Sequence, residues 1–392
     1  MTTGKGRSKL TTVWLFLGFM ILAACSDQSA PTPDAPLLTQ SELQTQLDAV
    51  QLAHANIPGF SLAVVLPDGT LISASTGMAA PGGQVMSADT PVRLASISKT
   101  FVAAAVLRLE EEGKVQLDDP IAQYVDDQIV ALLTADGYRA DQITLRHLLL
   151  HAAGLNDHFP SEAYQQRVLT DPTHEWTALE QLEMFVDTTQ KLSEPGTTYS
   201  YSDPGYILLG LLLEQVTGNT LGQAVRELLA LDQHGLETTW WEGEPPADNT
   251  PSRAHQWLGD QDTWSVHGSV DAFGGGGLIA SVADTAEFFH ALFADRIFAK
   301  PETRITMQTG LGHPAGSDYR YGLFTNEVAG YAVYGHGGFW GTDAVAVPDL
   351  QLAMAGVALE QSGIRALRTL EGELIELMVS RLPEQMTQTS QP

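Results

Sequence analysis

The chain has 392 residues, a formal net charge of −27 and one cysteine. That length asks for one large domain or two interleaved ones with an ample core. With 44% hydrophobic and 17% charged residues the composition is globular, not disordered. The acidity argues against nucleic acid and anionic lipid as partners, and a single cysteine excludes an intrachain disulfide.

The first predicted element is not part of the fold. Lys5, Arg7 and Lys9 form a basic stretch ahead of VWLFLGFMILAA (13–24), an apolar run too short for a stop-transfer helix. It ends in LAAC, with small residues before Cys25. The arrangement resembles the lipobox of bacterial lipoproteins, which implies removal of residues 1–24 and lipidation of Cys25. Ser26 behind it implies outer-membrane sorting in a Gram-negative cell. The expected location is the cell envelope, with a lipid anchor in the membrane. Removal of 1–24 takes away three positive charges and no negative ones, leaving −30. Residues 25–40, rich in Pro, Ser and Asp, read as a flexible tether.

SELQTQLDAVQLAHA (41–55) predicts an amphipathic helix with Ser41 as cap. FSLAVVL and TLISAST around Pro67-Asp68-Gly69 predict strand, turn and strand. ISKTFVAAAVLRLEEEG predicts a helix closed by Gly113. From about 115 to 235 the pattern is helical, with loops at 118–126, 155–175 and 192–203. DPGYILLGLLLEQVTG predicts a helix with Asp203 as N-cap and Pro204 at the first helical position. Beyond 250, YAVYGHGG and DAVAVPDLQLAMAGVAL predict strands, and 364–382 predicts a last amphipathic helix.

Strands near both ends with helices between them predict a fold of the α/β (α+β) class. An antiparallel sheet is built from both chain ends and flanked by the terminal helices, with an all-helical insertion beside it. The expected domain is 41–385, its α/β part 41–104 and 250–385 and its helical part 105–249, followed by a tail at 386–392.

The chemistry centres on Ser96-Ile97-Ser98-Lys99. At a helix start, residues three apart share a face, which sets the Lys99 amine beside the Ser96 hydroxyl. A serine needs a base to become a nucleophile, and a neutral lysine can be one. The pattern alone is loose, and a serine cap with an exposed lysine also satisfies it.

TPVRLASISKTFVAAAVLRLEEEGKVQLDDPIAQYV resembles the serine β-lactamase-like and penicillin-binding family, in the branch of class C β-lactamases, D-Ala-D-Ala carboxypeptidases and related esterases. LRHLLLHAAGL (145–155), YSYSDPGYILLGLLLEQVTG (199–218), AFGGGGLIASVADTAEFFHAL (272–292) and YGHGGFWGT (334–342) follow in that family's order. The resemblance covers roughly 41–380 and implies a β-lactamase/transpeptidase-like fold without cofactor or metal. It implies Ser96 as nucleophile, and Lys99 and Tyr201 as handlers of its proton, either one the base. It also implies His336 as carboxylate binder or leaving-group assistant, and the N–H groups of Ser96 and Phe339 as oxyanion hole. Asp203, Gly337, Gly338 and Trp340 are implied as substrate-binding positions.

Two positions depart from the family pattern. Asp203 stands where the family has asparagine. A carboxylate cannot donate to a substrate carbonyl, and an anion beside Lys99 would hold it protonated. Asp203 as a mere cap is the competing reading. His336 stands where many β-lactamases have lysine, so a permanent cation is missing from that motif. His147 and His151, four apart, have metal-ligand spacing but no HExxH; Gly274–Gly277 lacks a P-loop lysine; no G-x-S-x-G occurs. Trp240 and Trp241 read equally as cleft lining or as packing.

The function these residues predict is an exported serine hydrolase. It would cleave an ester or amide of a small molecule or peptide through an acyl-Ser96 intermediate. Esterase or D-Ala-D-Ala carboxypeptidase-like activity is favoured, with β-lactam turnover at most weak. The alternative is a cell-wall peptide or penicillin-binding lipoprotein that acylates without efficient turnover.

Overall fold

The computed structural model describes residues 36–310, 312, 314 and 317–382. The expected signal segment, Cys25, most of the tether and the 386–392 tail lie outside the described residues. Among the described residues, no helix is long and apolar enough to cross a membrane.

The chain forms α1 (Gln40–Ala53), β1 (Gly59–Val65), β2 (Leu71–Ala80), β3 (Gln84–Val85), β4 (Val92–Arg93) and α2 (Ser98–Glu111). Helices α3 (Asp127–Ala135), α4 (Leu145–Leu149), α5 (Glu162–Thr170), α6 (Ala178–Thr188), α7 (Asp203–Thr217) and α8 (Leu221–Leu228) follow. Then come β5 (Trp240–Trp241), β6 (Trp257–Leu258), β7 (Gln261–Asp262), β8 (Leu278–Ala280), α9 (Val282–Phe293) and α10 (Pro301–Thr309). The last elements are β9 (Phe324–Val328), β10 (Tyr331–Gly338), β11 (Thr342–Val347), β12 (Leu352–Ala358) and α11 (Ile364–Ser380).

The main sheet has seven strands in the order β3-β2-β1-β12-β11-β10-β9. The ends of the chain meet at its centre, where β1 and β12 pair antiparallel with Phe60 opposite Ala358 and Val65 opposite Ala353. All seven residues of β1 are buried. Its side chains nonetheless alternate, as strand geometry requires. Ala63 and Val65 join the core shared with α2, α7 and α9. Phe60, Leu62 and Val64 join the core under α1 and α11. A sheet covered on both faces loses the polar alternation that normally marks a strand.

The fold starts earlier than the tether reading allows. Leu38 is buried, and Thr39, not Ser41, caps α1 in a reciprocal capping box with Glu42. Two donors are satisfied there at once, the Glu42 N–H by the Thr39 hydroxyl and the Thr39 N–H by the Glu42 carboxylate. The expected loop at 155–175 contains α5, capped by the Ser161 hydroxyl, and 118–126 contains a 3₁₀ turn at Ile121–Gln123. The helical part also contributes β5, which joins β8 and β4 in a separate three-stranded sheet.

Candidate active site

The site starts with a turn held from three directions. β4 ends at Arg93, and Ala95 takes a φ of +48° before the 3₁₀ turn Ala95–Ile97 leads into α2. That backbone costs a non-glycine residue on the order of 1 kcal/mol. Leu94 donates its N–H to Leu278 O at 2.9 Å, and its carbonyl accepts from the Thr342 hydroxyl at 2.9 Å. Gly338 lies so close that a Cβ there would sit 2.1 Å from the Leu94 oxygen. Neither serine of the motif caps the helix. Ser98 Oγ accepts from the Leu278 N–H at 3.0 Å, and Ser96 Oγ accepts from Lys99 Nζ at 3.1 Å.

Lys99 has no exposed side-chain surface. Its ammonium also donates to the Gly275 carbonyl at 2.5 Å and lies 2.7 Å from Asp203 Oδ1, an ionic contact without the angles of a hydrogen bond. Burial alone would push its pKa down, but the Asp203 charge beside it outweighs burial, so the lysine is held protonated. The Tyr201 ring is 4.9 Å from Nζ, and its hydroxyl meets the side chains of both Lys99 and Ser96. Burial raises the Tyr201 pKa against the pull of Lys99, so it stays a phenol.

Asp203 is not the N-cap. Ser202 holds that place, and Asp203 is the first residue of α7, with Pro204 second. The shift by one residue turns the carboxylate toward Lys99. Close backbone packing completes the arrangement. A Cβ on Gly274 would meet Tyr206 O at 2.3 Å, and one on Gly210 would meet Phe273 O at 2.3 Å. This contact sets the Gly275 carbonyl over the ammonium, a close approach that only glycine allows. Asp157 and Asp271 lie nearby, and both are pushed up to about 7, chiefly by burial and then by other charges, Asp203 among them.

His336, on β10, is 3% exposed. Its Nδ1 faces the Gly337 carbonyl at 2.8 Å, and its Nε2 faces the Tyr319 hydroxyl at 3.3 Å. A carbonyl only accepts, so the proton belongs on Nδ1 and Nε2 offers its lone pair. Burial and the Lys99 charge push its pKa down to about 3. The imidazole is therefore neutral, not partly charged as the sequence suggested. Tyr319 and the Gly275 carbonyl are neighbours that sequence reasoning missed.

His151 and His147 hold the scaffold. His151 Nδ1 accepts from Ser202 N at 3.1 Å and its carbonyl from Ser200 N at 2.8 Å, which fixes the segment carrying Tyr201. His147 Nδ1 accepts from Thr144 N at 3.2 Å in the capping box of α4. Among the described residues, no group of three or more His, Cys, Asp or Glu is placed to hold a metal.

Ser96, Tyr201, His336 and Gly337 share one cavity of about 560 Å³, with Phe324, Asp318, Asn326, Asp343, Glu371 and Arg368 among its other walls. Arg368, on α11, lies against Gly337, where a Cβ would be 1.8 Å from its Nη2. It brings a guanidinium, paired with Asp343, to the wall of this cavity, and no sequence motif pointed to it. Gly338 supports the Leu94 turn instead. Phe339 and Trp340 border a different cavity. Trp241 is buried with its indole N–H given to Ala272 O, so it packs; Trp240 is half-buried on β5, and neither lines the Ser96 cavity. A larger groove of about 740 Å³ runs between α1 and α11, away from all of these groups.

Comparison with known proteins shows the family and the fold. Penicillin-binding protein 4 of Amycolatopsis lactamdurans is 28% identical over 190 residues, 47% of this chain and 45% of that protein. Esterase EstB of Burkholderia gladioli is 31% identical over 208 residues, 50% and 52% of the two chains. The chain thus spans about half the length of these curated relatives. Among solved structures, the D-amino acid amidase of Ochrobactrum anthropi SV3 complexed with D-phenylalanine superposes with a TM-score of 0.72 at 22% identity, over 87% of this chain and 99% of that one. The Beta-lactamase family model matches residues 45–369. With that match over most of its length, the chain belongs to the Beta-lactamase family of serine hydrolases.

Proposed function

We propose that the protein is an exported, lipid-anchored hydrolase that cleaves an ester or amide through an acyl-Ser96 intermediate. The carrying observation is the buried contact of Ser96 Oγ with Lys99 Nζ at 3.1 Å, with the Tyr201 phenol against both. Ser96 Oγ attacks the carbonyl carbon. The Tyr201 oxygen takes the serine proton and hands its own to the leaving atom. The bond from Oγ to carbon forms, and the bond from carbon to the leaving atom breaks. Water then runs the sequence in reverse and frees the acid. Lys99 acts as a fixed ammonium, stabilising negative charge on the serine and tyrosine oxygens.

The N–H groups of Ser96 and Phe339 receive the oxyanion; loss of one such donor costs about 3 kcal/mol. Neutral His336 offers hydrogen bonding, and its Nε2 lone pair is linked to Tyr319. The relatives' names, penicillin-binding protein, esterase and carboxypeptidase, span both ester and amide substrates. Without a charged residue at 336, the ester and D-peptide end is favoured over dedicated β-lactam hydrolysis.

The ion pair to Asp203 also favours a second reading, in which the protein acylates and stays acylated, because a locked ammonium slows attack by water. The test uses purified mature protein and its Ser96→Ala variant. Each is offered a chromogenic short-chain ester, a D-amino-acid anilide and a chromogenic cephalosporin. Mass spectrometry follows the Ser96 adduct. Ser96-dependent turnover of ester or anilide supports the hydrolase. A persistent penicillin adduct without turnover supports the binding protein, and efficient cephalosporin turnover with little ester cleavage overturns the ranking.

A further inference from the structure

His336 faces the Ser96 cavity, yet both of its ring nitrogens are spent on the protein itself. The partner of Nε2 is Tyr319, which has no exposed surface and is not among the walls of the cavity. Tyr319 lies between α10 and β9. Its N–H is held by the Ser317 hydroxyl at 3.1 Å, and it bridges to Phe324. Its ring meets Phe324 edge to face with centroids 4.8 Å apart, and His151 at 4.5 Å. Its hydroxyl lies 3.3 Å from His336 Nε2 and 3.4 Å from the Tyr206 hydroxyl. Tyr206, on α7, gives its own proton to the Leu149 carbonyl on α4 at 3.1 Å.

This line has fewer protons than contacts, and that fixes their directions. The Gly337 and Leu149 carbonyls can only accept, so His336 Nδ1 and the Tyr206 hydroxyl spend their protons there. The Tyr319 proton is left for two acceptors, Tyr206 O and His336 Nε2. Tyr206 is already bonded through its own proton. Nε2 has no other donor among the described residues, and a buried group left without a bond is costly. The Tyr319 hydroxyl therefore donates to His336.

The imidazole in turn grips the Gly337 carbonyl at 2.8 Å. That carbonyl belongs to the peptide joining Gly337 to Gly338, and the next peptide carries the Phe339 N–H. The ladder with β11 ends at Gly338, opposite Thr342, so Phe339 lies beyond it. Two glycines in a row give this strand end the least restrained backbone available, and the His336 bond is a side-chain hold on it. We infer that Tyr319 is a positioning residue: by locking His336 it sets the Gly337–Gly338 peptide, and with it the aim of the Phe339 N–H at the acyl oxygen. Tyr319 touches no substrate and acts only through His336. The inference rests on the acyl-Ser96 reading and names what steadies one half of its oxyanion hole.

The test measures kcat and KM for a chromogenic short-chain ester with Tyr319→Phe, His336→Phe and the double variant. Active sites are counted by fluorophosphonate labelling of Ser96, which cancels any loss of folded material. An oxyanion hole acts on the transition state and hardly on bound substrate, so Tyr319→Phe is expected to lower kcat about tenfold with KM within about twofold of wild type. A residue that acts through His336 adds nothing once the imidazole is gone, so the double variant should match His336→Phe. An unchanged kcat in Tyr319→Phe, a loss carried by KM, or losses that multiply in the double variant overturns the inference. If no ester shows Ser96-dependent turnover, the acyl-enzyme reading itself fails, and nitrogen NMR decides the lock separately. Tyr319→Phe should then move the His336 Nε2 resonance, assigned by its loss in His336→Phe, toward that of an unbonded imidazole nitrogen. A resonance left in place overturns the lock.

Discussion

Two cation–carboxylate pairs flank the Ser96 site and behave differently. Lys99 has no exposed side-chain surface, and its ammonium is shared among Asp203, the Gly275 carbonyl and Ser96. Arg368 is 53% exposed, and its Nε and Nη2 both reach Asp343 Oδ1, at 2.9 and 2.8 Å. Glu371 behind it is buried; burial and then the Asp343 charge push its pKa well up, so it is protonated. In the sealed pair the field of Asp203 is undamped and fixes a proton. In the open pair water screens the attraction and leaves a positive face turned to whatever enters. The chemistry of the pair is the same, and depth decides whether it stores a proton or offers a charge.

The largest expected effect tests the sealed side at its tip. Ser96→Ala should lower ester turnover by about 10⁴-fold or more, as for other members of a catalytic unit, with an unchanged thermal melt. Lys99→Met should remove turnover and also cost about 3–5 kcal/mol of stability, because it leaves the Asp203 carboxylate buried and unpaired. Denaturant melts should show most of that loss recovered in the Lys99→Met/Asp203→Asn double variant. Asp203→Asn alone removes the charge that raises the lysine pKa. If the ammonium is the working form, the alkaline fall of kcat/KM should move to lower pH, and an unmoved profile would refute a protonated Lys99 in catalysis.

On the open side, effects should be smaller. Gly337→Ala places a methyl where the Arg368 guanidinium lies. It should displace the guanidinium from the buried Asp343 carboxylate, which can take up a proton instead, and lower the melting temperature by less than Lys99→Met does. A pH-dependent effect concerns the acids that surround Asp203. The folded pKa of Asp271 is about 7, against the usual 3.8. A raised folded value means stability that is complete below about pH 4 and is lost as pH rises through 7. Asp271→Asn should therefore narrow the difference between melting temperatures at pH 5 and pH 8. An unchanged difference would place the titration elsewhere.

The sheet and its helices were legible because β1, β12 and α11 carry local patterns, and the order of motifs placed Ser96, Lys99, Tyr201 and His336 in one family frame. Asp203 was ambiguous because a one-residue shift of the helix start decides where its carboxylate points, and both Ser202 and Asp203 are good caps. Arg368 was invisible because it meets the site only through a glycine 31 positions away in the sequence. Gly275 contributes a carbonyl, which every residue has, so residue type carried no signal. Tyr319 reads as one aromatic among many. Helix α5 reads as loop in the sequence because only Tyr164 of its nine residues is buried, leaving no apolar stripe to detect.

The turn that presents Ser96 is gripped by Thr342 and Gly338, residues that arrive some 240 positions later in the chain. A polypeptide still being made thus lacks the clamp that aims its hydroxyl. The reactive serine is armed only once the carboxyl-terminal strands have closed over it, so a chain cut short before residue 342 should be chemically harmless to the cell that makes it.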